Sequence, residues 1–264
     1  MIELGKDERQ IVRELCGNVK GVIPFNTAGG RMGRVWVPQL DNPSFCLIHI
    51  SKIAYLVGIC PKGEQAMDLR KLLLELSGHD FITPTDERWA EWLEETFGAS
   101  CRSMSRYAMR EDKNYFSKET LEDYLNSLPE GIRIKEMDKD LYEKAIGSEW
   151  SQEICSNFDT QEEFMKHGFG FAALDGETLV SGCSAYEIST EMIQVKVATQ
   201  KEYKRQGLAL ACSAGLILSC LKQGIFPTWD ADNIPAAGLA EKLGYILEKE
   251  YQVYSLADLE DGLY

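Results

Sequence analysis

The chain has 264 residues, with 28 Lys and Arg against 42 Asp and Glu, which gives a formal net charge of −14 at pH 7. This acidity argues against a nucleic-acid binder that depends on phosphate contacts, while 44% hydrophobic residues suffice for a sizeable core. No apolar run approaches the roughly 20 residues that span a membrane, and the first residues lack the apolar stretch of a signal peptide, so no membrane partner is expected.

In chain order, the first half predicts three strands, a helix, a strand, a second helix and a further strand. These segments are Arg34–Pro38, Phe45–Ile50, Ile53–Ile59, Gly63–Leu76, Phe81–Thr83, Asp86–Phe97 and Cys101–Met109. A third helix, Lys118–Leu128, leads into the turn-forming stretch Asn126–Gly131. We therefore predict an N-terminal domain at 1–127 and a C-terminal domain at 128–264.

The second half predicts a strand, two helices and three more strands. They are Ile132–Met137, Lys139–Glu149, Gln161–Lys166, Phe169–Leu174, Thr178–Ile188 and Met192–Thr199. A short loop with Lys201, Lys204 and Arg205 follows, and then a helix at about Arg205–Lys222. The segments Gly224–Asp230, Asp232–Gly244, Tyr245–Glu248 and Tyr251–Leu256 complete the chain as strand, helix, strand and strand.

The start of the helix after the cationic loop has the properties of an anion site. Gly207 and Ala209 leave little side chain at the helix mouth, so a ligand can approach the backbone. The free N–H groups of a first helical turn, the positive end of the helix dipole and the nearby cations together favour a phosphate or pyrophosphate.

Two stretches resemble signatures of the GCN5-related N-acetyltransferase (GNAT) superfamily, in the order that superfamily has them. Lys204-x-x-Gly207-x-Ala209 resembles Q/R-x-x-G-x-G/A, and the run from Asn233 to Tyr245 resembles the later Asn…Lys-Leu-Gly-Phe/Tyr signature. Lys204 departs from the usual Gln or Arg, which keeps the charge but loses the bidentate fork.

The resemblance implies acetyl-CoA as co-substrate, with its pyrophosphate on the loop and its pantetheine along the preceding strand. It implies an α+β fold class, the GNAT fold, with a mixed and mostly antiparallel sheet flanked by helices in the C-terminal half. The cofactor-binding residues that it implies are Val197, Ala198, Thr199, Lys204, Arg205, Gln206, Gly207, Leu208, Ala209 and Asn233.

The first half has the same rhythm of three strands, helix, strand, helix and strand. We interpret it as an α/β domain that is a degenerate GNAT-like copy, with an unrelated α+β domain as the alternative. Where an anion loop should follow, it has Gly58-Ile-Cys-Pro-Lys-Gly-Glu-Gln65, which lacks the basic-then-glycine pattern. We therefore expect no cofactor binding there.

The whole chain also resembles a narrower group, the zwittermicin A resistance-type acetyltransferases. The residues behind this resemblance are Arg34-Val-Trp-Val37, Asp41-Asn-Pro43, Gly168-x-Gly-Phe171, Val180-Ser-Gly-Cys-Ser184 and Trp229-Asp-Ala-x-Asn233. It implies N-acetylation of a small-molecule primary amine by direct attack, including amino-modified antibiotics. The alternative is a non-catalytic acyl-CoA-binding sensor or scaffold, and a homodimer is left open.

The resemblance also suggests where acid–base chemistry would come from. Glu191 stands where many relatives carry the base that takes the ammonium proton, and Glu187 is the alternative. A solvated turn residue is the other interpretation of Glu191. Many relatives carry a Tyr where this chain has Ala240, so a tyrosine acid would have to come from Tyr245, Tyr251 or Tyr254 instead.

The cysteines predict neither a metal site nor disulfides. Eight Cys include no C-x-x-C pair and are accompanied by three His, so we expect no metal. Most lie in apolar runs, where Cys behaves as a small core residue. A reducing, cytoplasmic compartment is the expectation.

Overall fold

The computed structural model describes residues 1–17, 33–50, 53–76, 81–110, 112–156, 158, 160–188 and 192–256. They form two compact units. Unit 1 comprises Met1–Arg106 and the C-terminal segment from Tyr251, and unit 2 comprises Tyr107–Glu250. The boundaries between the units fall inside two strands, Cys101–Met109 and Leu247–Leu256.

The secondary-structure elements of the described residues are as follows. The strands are β1 (Ile2–Glu3), β2 (Arg34–Val37), β3 (Phe45–Ile50), β4 (Ile53–Gly58), β5 (Phe81–Pro84), β6 (Cys101–Met109), β7 (Ile132–Glu136), β8 (Gly170–Asp175), β9 (Thr178–Ile188), β10 (Met192–Thr199), β11 (Phe226–Thr228), β12 (Asp230–Ala231) and β13 (Leu247–Leu256). The α-helices are α1 (Arg13–Cys16), α2 (Glu64–Leu76), α3 (Glu87–Phe97), α4 (Lys118–Asn126), α5 (Lys139–Ile146), α6 (Gln161–His167), α7 (Leu208–Gln223) and α8 (Ile234–Leu243). Short 3-10 turns lie at Lys6–Val12, Gly98–Ser100, Lys113–Tyr115, Gln152–Ile154 and Lys201–Tyr203.

Unit 1 is built on a mixed sheet with the strand order β1, β2, β3, β4, β5, β13 and β6. The first four strands are antiparallel, β5 runs parallel to β4, and β13 runs antiparallel to β5. Helix α3 buries Trp89, Leu93 and Phe97, which recur every four residues and so form one apolar stripe. This stripe packs against Phe45 and Leu47 of β3 in the core of the unit.

Unit 2 has a five-stranded sheet in the order β7, β8, β9, β10 and β11. Helices cover both of its faces. Neighbouring residues of a strand point to opposite faces, so Ala173 packs in the cluster with α7 while Ala172 packs in the cluster with α5 and α6. Gly215 of α7 allows close packing, because an added Cβ there would lie 2.9 Å from the Phe171 ring.

The two units share one order of strands. In each, four antiparallel strands are followed by a helix and a fifth strand that runs parallel to the fourth, as β1–β4, α2 and β5 in unit 1 and β7–β10, α7 and β11 in unit 2. Mixed sheets flanked by helices confirm the predicted α+β fold class, and the repeated order supports the interpretation of the first half as a GNAT-like copy.

The compact units divide the chain earlier than the predicted boundary at 127/128. Residues 107–127 pack within unit 2, because Met109 and Leu121 lie in its core and the ring of Phe116 meets that of Tyr245 at 4.9 Å between centroids. A helix that precedes a turn signal can belong to the domain that follows it, and turn chemistry alone does not show this.

Several element boundaries also differ from the prediction. The long helix begins at Leu208 rather than Arg205, because Arg205 and Gly207 take left-handed backbone conformations. The helix from Lys139 ends at Ile146, before Gly147. The two predicted C-terminal strands are one continuous strand, β13.

Candidate active site

Strands β10 and β11 separate after a short common stretch. Met192–Gln194 pairs with Phe226–Thr228, whereas the pairing of β10 with β9 continues to Thr199. The register between β9 and β10 shifts between Gln194 and Val195, and bulges of this kind bend a strand and increase its twist. In the described ladder, the β11-facing edge of β10 is therefore open beyond its last pair.

Main-chain directions on the open edge follow from the pairing with β9. Gln200 N–H donates to Val180 C=O at 2.9 Å, so Gln200 faces β9, as does Ala198 two residues earlier. Because main-chain groups alternate in direction along a strand, Val197 and Thr199 face the open edge. Of the three strand residues that the sequence predicts as main-chain ligands, Val197 and Thr199 thus have the required direction and Ala198 does not.

The loop after β10 turns sharply into α7. Arg205 has φ 64° and Gly207, the residue before the helix, has φ 85°. Ala211 N–H donates to Gly207 C=O at 3.0 Å, so the N–H groups of Leu208, Ala209 and Leu210 precede the first helical bond. Left-handed turns of this kind aim successive N–H groups into a concavity that suits an anion.

Helix α7 differs from other helices of the chain in how it begins. Gly207 provides no capping side chain, and the first turn of α7 contains no acidic residue. Five other helices begin at a residue whose side chain accepts a main-chain hydrogen bond, namely Asp86, Ser117, Asp138, Thr160 and Asn233. The first-turn donors of α7 are therefore left for an external acceptor.

Three cations lie in the loop directly before this uncapped helix start. Lys201, Lys204 and Arg205 are exposed, and none of them forms an ion pair with another described residue. Gln206 and Gly207 are also exposed. The site thus combines main-chain donors, a helix dipole and unpaired positive side chains, which is the combination that binds phosphate groups.

The loop is anchored on the β8–β9 hairpin. The Tyr203 hydroxyl donates to Asp175 Oδ2 at 2.8 Å, and this bond raises the pKa of Tyr203. Ser181 Oγ lies 2.8 Å from Thr199 Oγ1 and donates to Ala198 C=O at 3.0 Å. These contacts tie the end of β10 and the start of the loop to the β8–β9 hairpin.

Asn233 has a structural role of its own. Its Oδ1 accepts a hydrogen bond from Ala236 N at 2.9 Å and so caps α8. Ala240, further along that helix, is completely buried. Position 240 therefore faces the core, and a tyrosine that reached a ligand from this helix would have to stand at another position.

Two of the tyrosines considered as acids have their hydroxyls engaged. Tyr245 is buried, donates to Pro227 C=O at 2.9 Å, and has a pKa raised well above its ordinary value by burial. Tyr254 lies in unit 1, where it donates to Glu94 Oε1 at 2.9 Å and burial raises its pKa to about 12. Both hydroxyls hold their protons firmly, which makes them poor acids.

Cys183 and Ser184 of β9 are also engaged within the fold. Cys183 is fully buried, and burial raises the pKa of its thiol well above the usual value. The Ser184 hydroxyl donates to Ile154 C=O. Since a nucleophilic cysteine requires an accessible thiolate, these residues favour direct transfer over a covalent acyl-enzyme.

Glu191, the predicted base, lies outside the described residues, and the structure describes only the main chain of Glu187, in β9. Sequence reasoning missed another carboxylate. Glu153 Oε2 lies 2.8 Å from Nζ of Lys196, a residue of β10. The alternation of β10 places Lys196 on the face opposite Val197, but no sequence signal connects it to Glu153.

The corresponding edge in unit 1 is closed. Strand β4 pairs with β5 through Ile53–Leu56. Thr85 N–H and Oγ1 donate to Leu56 C=O at 3.3 and 2.6 Å, and Trp89 Nε1 donates to Gly58 C=O at 3.0 Å. Protein groups therefore occupy the part of β4 that corresponds to the open part of β10.

Two further features of the described residues bear on the class of site. They contain no group of three or more His, Cys, Asp and Glu side chains arranged to hold a metal ion. None of their helices combines the length and apolar character needed to cross a bilayer.

The fold of unit 2, with its uncapped helix start after an open strand edge, agrees with a family-level match. The sequence profile of the GNAT acetyltransferases matches residues 13–254. The chain therefore belongs to the GNAT acetyltransferase family, which confirms the superfamily assignment made from the two signatures.

Individual relatives are consistent with this family. An uncharacterized N-acetyltransferase of Bacillus subtilis (strain 168), YdfB, is 30% identical over 174 residues, which are 64% of this chain and 63% of that protein, so the match spans less than two thirds of the relative. A GCN5-related N-acetyltransferase-like protein of Streptococcus suis 89/1591 has a structure similar to this one, with a TM-score of 0.86, 32% identity and coverage of 95% of this chain and 98% of that chain.

A tandem GNAT protein from the clavulanic acid biosynthesis pathway is similar in fold. Its TM-score is 0.61 at 12% identity, with 96% of each chain covered. This similarity fits a chain with two GNAT-like units. The narrower resemblance to zwittermicin A resistance-type enzymes is not confirmed by these relatives.

Proposed function

We propose that the protein is an acetyl-CoA-dependent N-acetyltransferase that acetylates a primary amine of a small molecule by direct attack. One observation carries this proposal: in unit 2 an uncapped helix start flanked by three cations follows directly on a strand with an open main-chain edge. Each feature alone is common, but together they suit a ligand with a pyrophosphate at one end and an amide-rich arm at the other.

The pyrophosphate would bind where α7 begins. Its oxygens would accept from the N–H groups of Leu208 and Ala209, with Lys204 and Arg205 supplying positive charge. The amides of the pantetheine arm would pair with the open edge of β10 at Val197 and Thr199, as an added strand does. The directions of the main-chain groups support this assignment.

Transfer requires a donor for the thioester oxygen as negative charge develops on it. Val197 N–H is the first donor on the open edge beyond the last β11 pair, so we assign it to that oxygen. The acceptor ammonium loses a proton to a base, its nitrogen forms a bond to the acetyl carbon, and the C–S bond breaks. The CoA thiolate leaves and takes up a proton from solvent, while the amide nitrogen releases its second proton.

Glu191 is our candidate for the base, on the strength of its position six residues before Val197 in the sequence. The acceptor class rests on the zwittermicin A-type resemblance, which supports a small amine. A cytoplasmic location is part of the proposal, and it is supported by the eight cysteines, all of which are free thiols.

The function is tested by following release of free CoA thiol from acetyl-CoA in the presence of a panel of small primary amines. The proposal expects amine-dependent release and a product heavier than the amine by one acetyl group. Tight acetyl-CoA binding without acetylation of any amine would favour the alternative of a non-catalytic acyl-CoA sensor.

A further inference from the structure

A charged pair lies on the second face of β10, next to the assigned oxyanion donor. Lys196 precedes Val197 in the strand, and its Nζ lies 2.8 Å from Glu153 Oε2 in the turn Gln152–Ile154. Ala198, which shares the Lys196 face, packs against the cluster formed by α5, α6 and that turn. The pair therefore lies on the α5–α6 side of the sheet, where β10 has already left β11.

Both members of the pair keep exposed surface. The Lys196 side chain is 26% exposed and that of Glu153 is 41% exposed. Ion pairs at this degree of exposure contribute little to folding. A contribution to the stability of the fold is therefore a weak explanation for the presence of this ion pair.

We propose that Lys196 and Glu153 form the acceptor subsite and that they select an amine carrying its own carboxylate, as an α-amino acid does. This inference rests on the proposed function. Lys196 binds the acceptor carboxylate, and Glu153 positions the Lys196 ammonium and attracts the acceptor ammonium. Lys196 is a specificity residue and Glu153 a positioning residue, while the base remains a separate group.

Charge geometry supports a zwitterionic acceptor over a simple cation. A positive and a negative group 2.8 Å apart complement an ammonium and a carboxylate held on one carbon, because each ligand charge then meets its opposite. An amine without a carboxylate must compete with Lys196 for Glu153 and leaves the Lys196 charge without an added partner. The pair therefore discriminates against it.

The test compares amines that differ only in the carboxylate. Acetylation is followed with the full chain, acetyl-CoA and three matched pairs: lysine and cadaverine, ornithine and putrescine, and tryptophan and tryptamine. The proposal expects kcat/KM to be about 10- to 100-fold higher for the amino acid of at least one pair. In K196Q that preference should vanish, because KM for the amino acid rises while KM for its decarboxylated partner, which no longer competes with Lys196 for Glu153, does not rise. K196R should retain the preference.

Two measurements separate this subsite from the rest of the proposal. E153Q should raise KM for the amino acid without changing acetyl-CoA affinity measured by calorimetry, and E177Q, which breaks the exposed Arg133–Glu177 pair in the same unit, should match the unmodified protein. Faster acetylation of the decarboxylated amines, no acetylation of any amine in the panel, or equal losses for both members of a pair in K196Q would overturn the subsite. The first outcome would leave the acetyltransferase proposal intact.

Discussion

Asn233 has one observed role, as a helix cap, and one proposed role, as a contact to the cofactor. Its Oδ1 caps α8, while the assignment of Asn233 to the cofactor requires its Nδ2 as a donor. An amide can serve both roles, because it carries an acceptor and two donors. Substitutions that remove one function at a time can therefore distinguish them.

We predict different effects for N233A and N233D. The alanine variant loses the cap and should cost about 1 kcal/mol of unfolding free energy in urea titrations. The aspartate variant keeps an acceptor for Ala236 N–H, so its stability should hold, but it replaces a donor with a negative charge and should weaken acetyl-CoA binding about 10-fold. Unchanged acetyl-CoA affinity in N233D would limit Asn233 to its capping role.

Glu191 is tested as the base by E191Q. If the carboxylate accepts the ammonium proton, kcat should fall by about 10²- to 10⁴-fold while acetyl-CoA affinity stays the same. The loss should shrink as the pH rises, because more of the acceptor is then already a neutral amine. A kcat within about threefold of the unmodified protein at neutral pH would contradict the role and make Glu187 the next candidate.

At the scale of residues, the sequence predicts the candidate main-chain ligands of the cofactor better than it predicts which side chains lie near them. Gly207 and the cations of the predicted anion site follow from local spacing, whereas Val197 is predicted through the resemblance to the GNAT superfamily. The Glu153–Lys196 pair joins residues distant in sequence, and only the fold brings them together. Likewise, the direction of Ala198 depends on its register with β9 and not on its identity.

At the scale of elements, the departure of β10 from β11 leaves the open strand edge on which the proposed site depends. In unit 1 the corresponding strands β4 and β5 are also parallel and paired. There, however, Thr85 and Trp89 donate hydrogen bonds to main-chain carbonyls of β4 near the end of that pairing. The same arrangement of strands thus gives one open and one closed edge. Main-chain polar groups on an open strand edge are costly to bury without a partner, and in unit 1 Thr85 and Trp89 supply donors to the β4 carbonyls of Leu56 and Gly58.

The direction of the strand's donors gives a prediction for proline substitutions in β10. V197P removes an N–H that faces the open edge, so the variant should fold and bind acetyl-CoA but lose about 10²- to 10³-fold in kcat. A198P removes an N–H that faces β9, so it should lower the urea midpoint of unfolding instead. V197A controls for the lost side chain, and a V197P variant with full activity would remove Val197 from the transfer step.

The boundaries of helices and strands show how far local sequence patterns can predict where an element begins and ends. Strands β9 and β10 have the predicted limits, because their alternation is strong and their ends carry turn residues. The predicted start of α7 is three residues early, since nothing in the identity of Arg205 indicates its positive φ. The break between β11 and β12 depends on the partners of those strands, which sequence periodicity does not specify.

At the scale of the whole molecule, the two units share one order of strands but differ in the loop after the fourth strand. This difference explains why we propose a cofactor site in only one of them. The first half was interpreted as a copy from its rhythm alone, and the strand order supports this. The predicted domain boundary at 127/128 stays a prediction, while the compact units divide at 106/107 and 250/251, within β6 and β13. Long-range strand pairing places those divisions, and no local composition shift marks them.

Titration of the full chain with acetyl-CoA, followed by calorimetry, tests the central claim most directly. The account predicts one site per chain, and it predicts that G207E lowers affinity by at least ~100-fold, because a carboxylate at the helix start repels the pyrophosphate and competes for its donors. G131E is the matched control, since Gly131 has the same φ of 85° and equally open surroundings but lies away from α7. G131E should bind like the unmodified protein. Two sites per chain, or unchanged affinity in a folded G207E, would contradict the account.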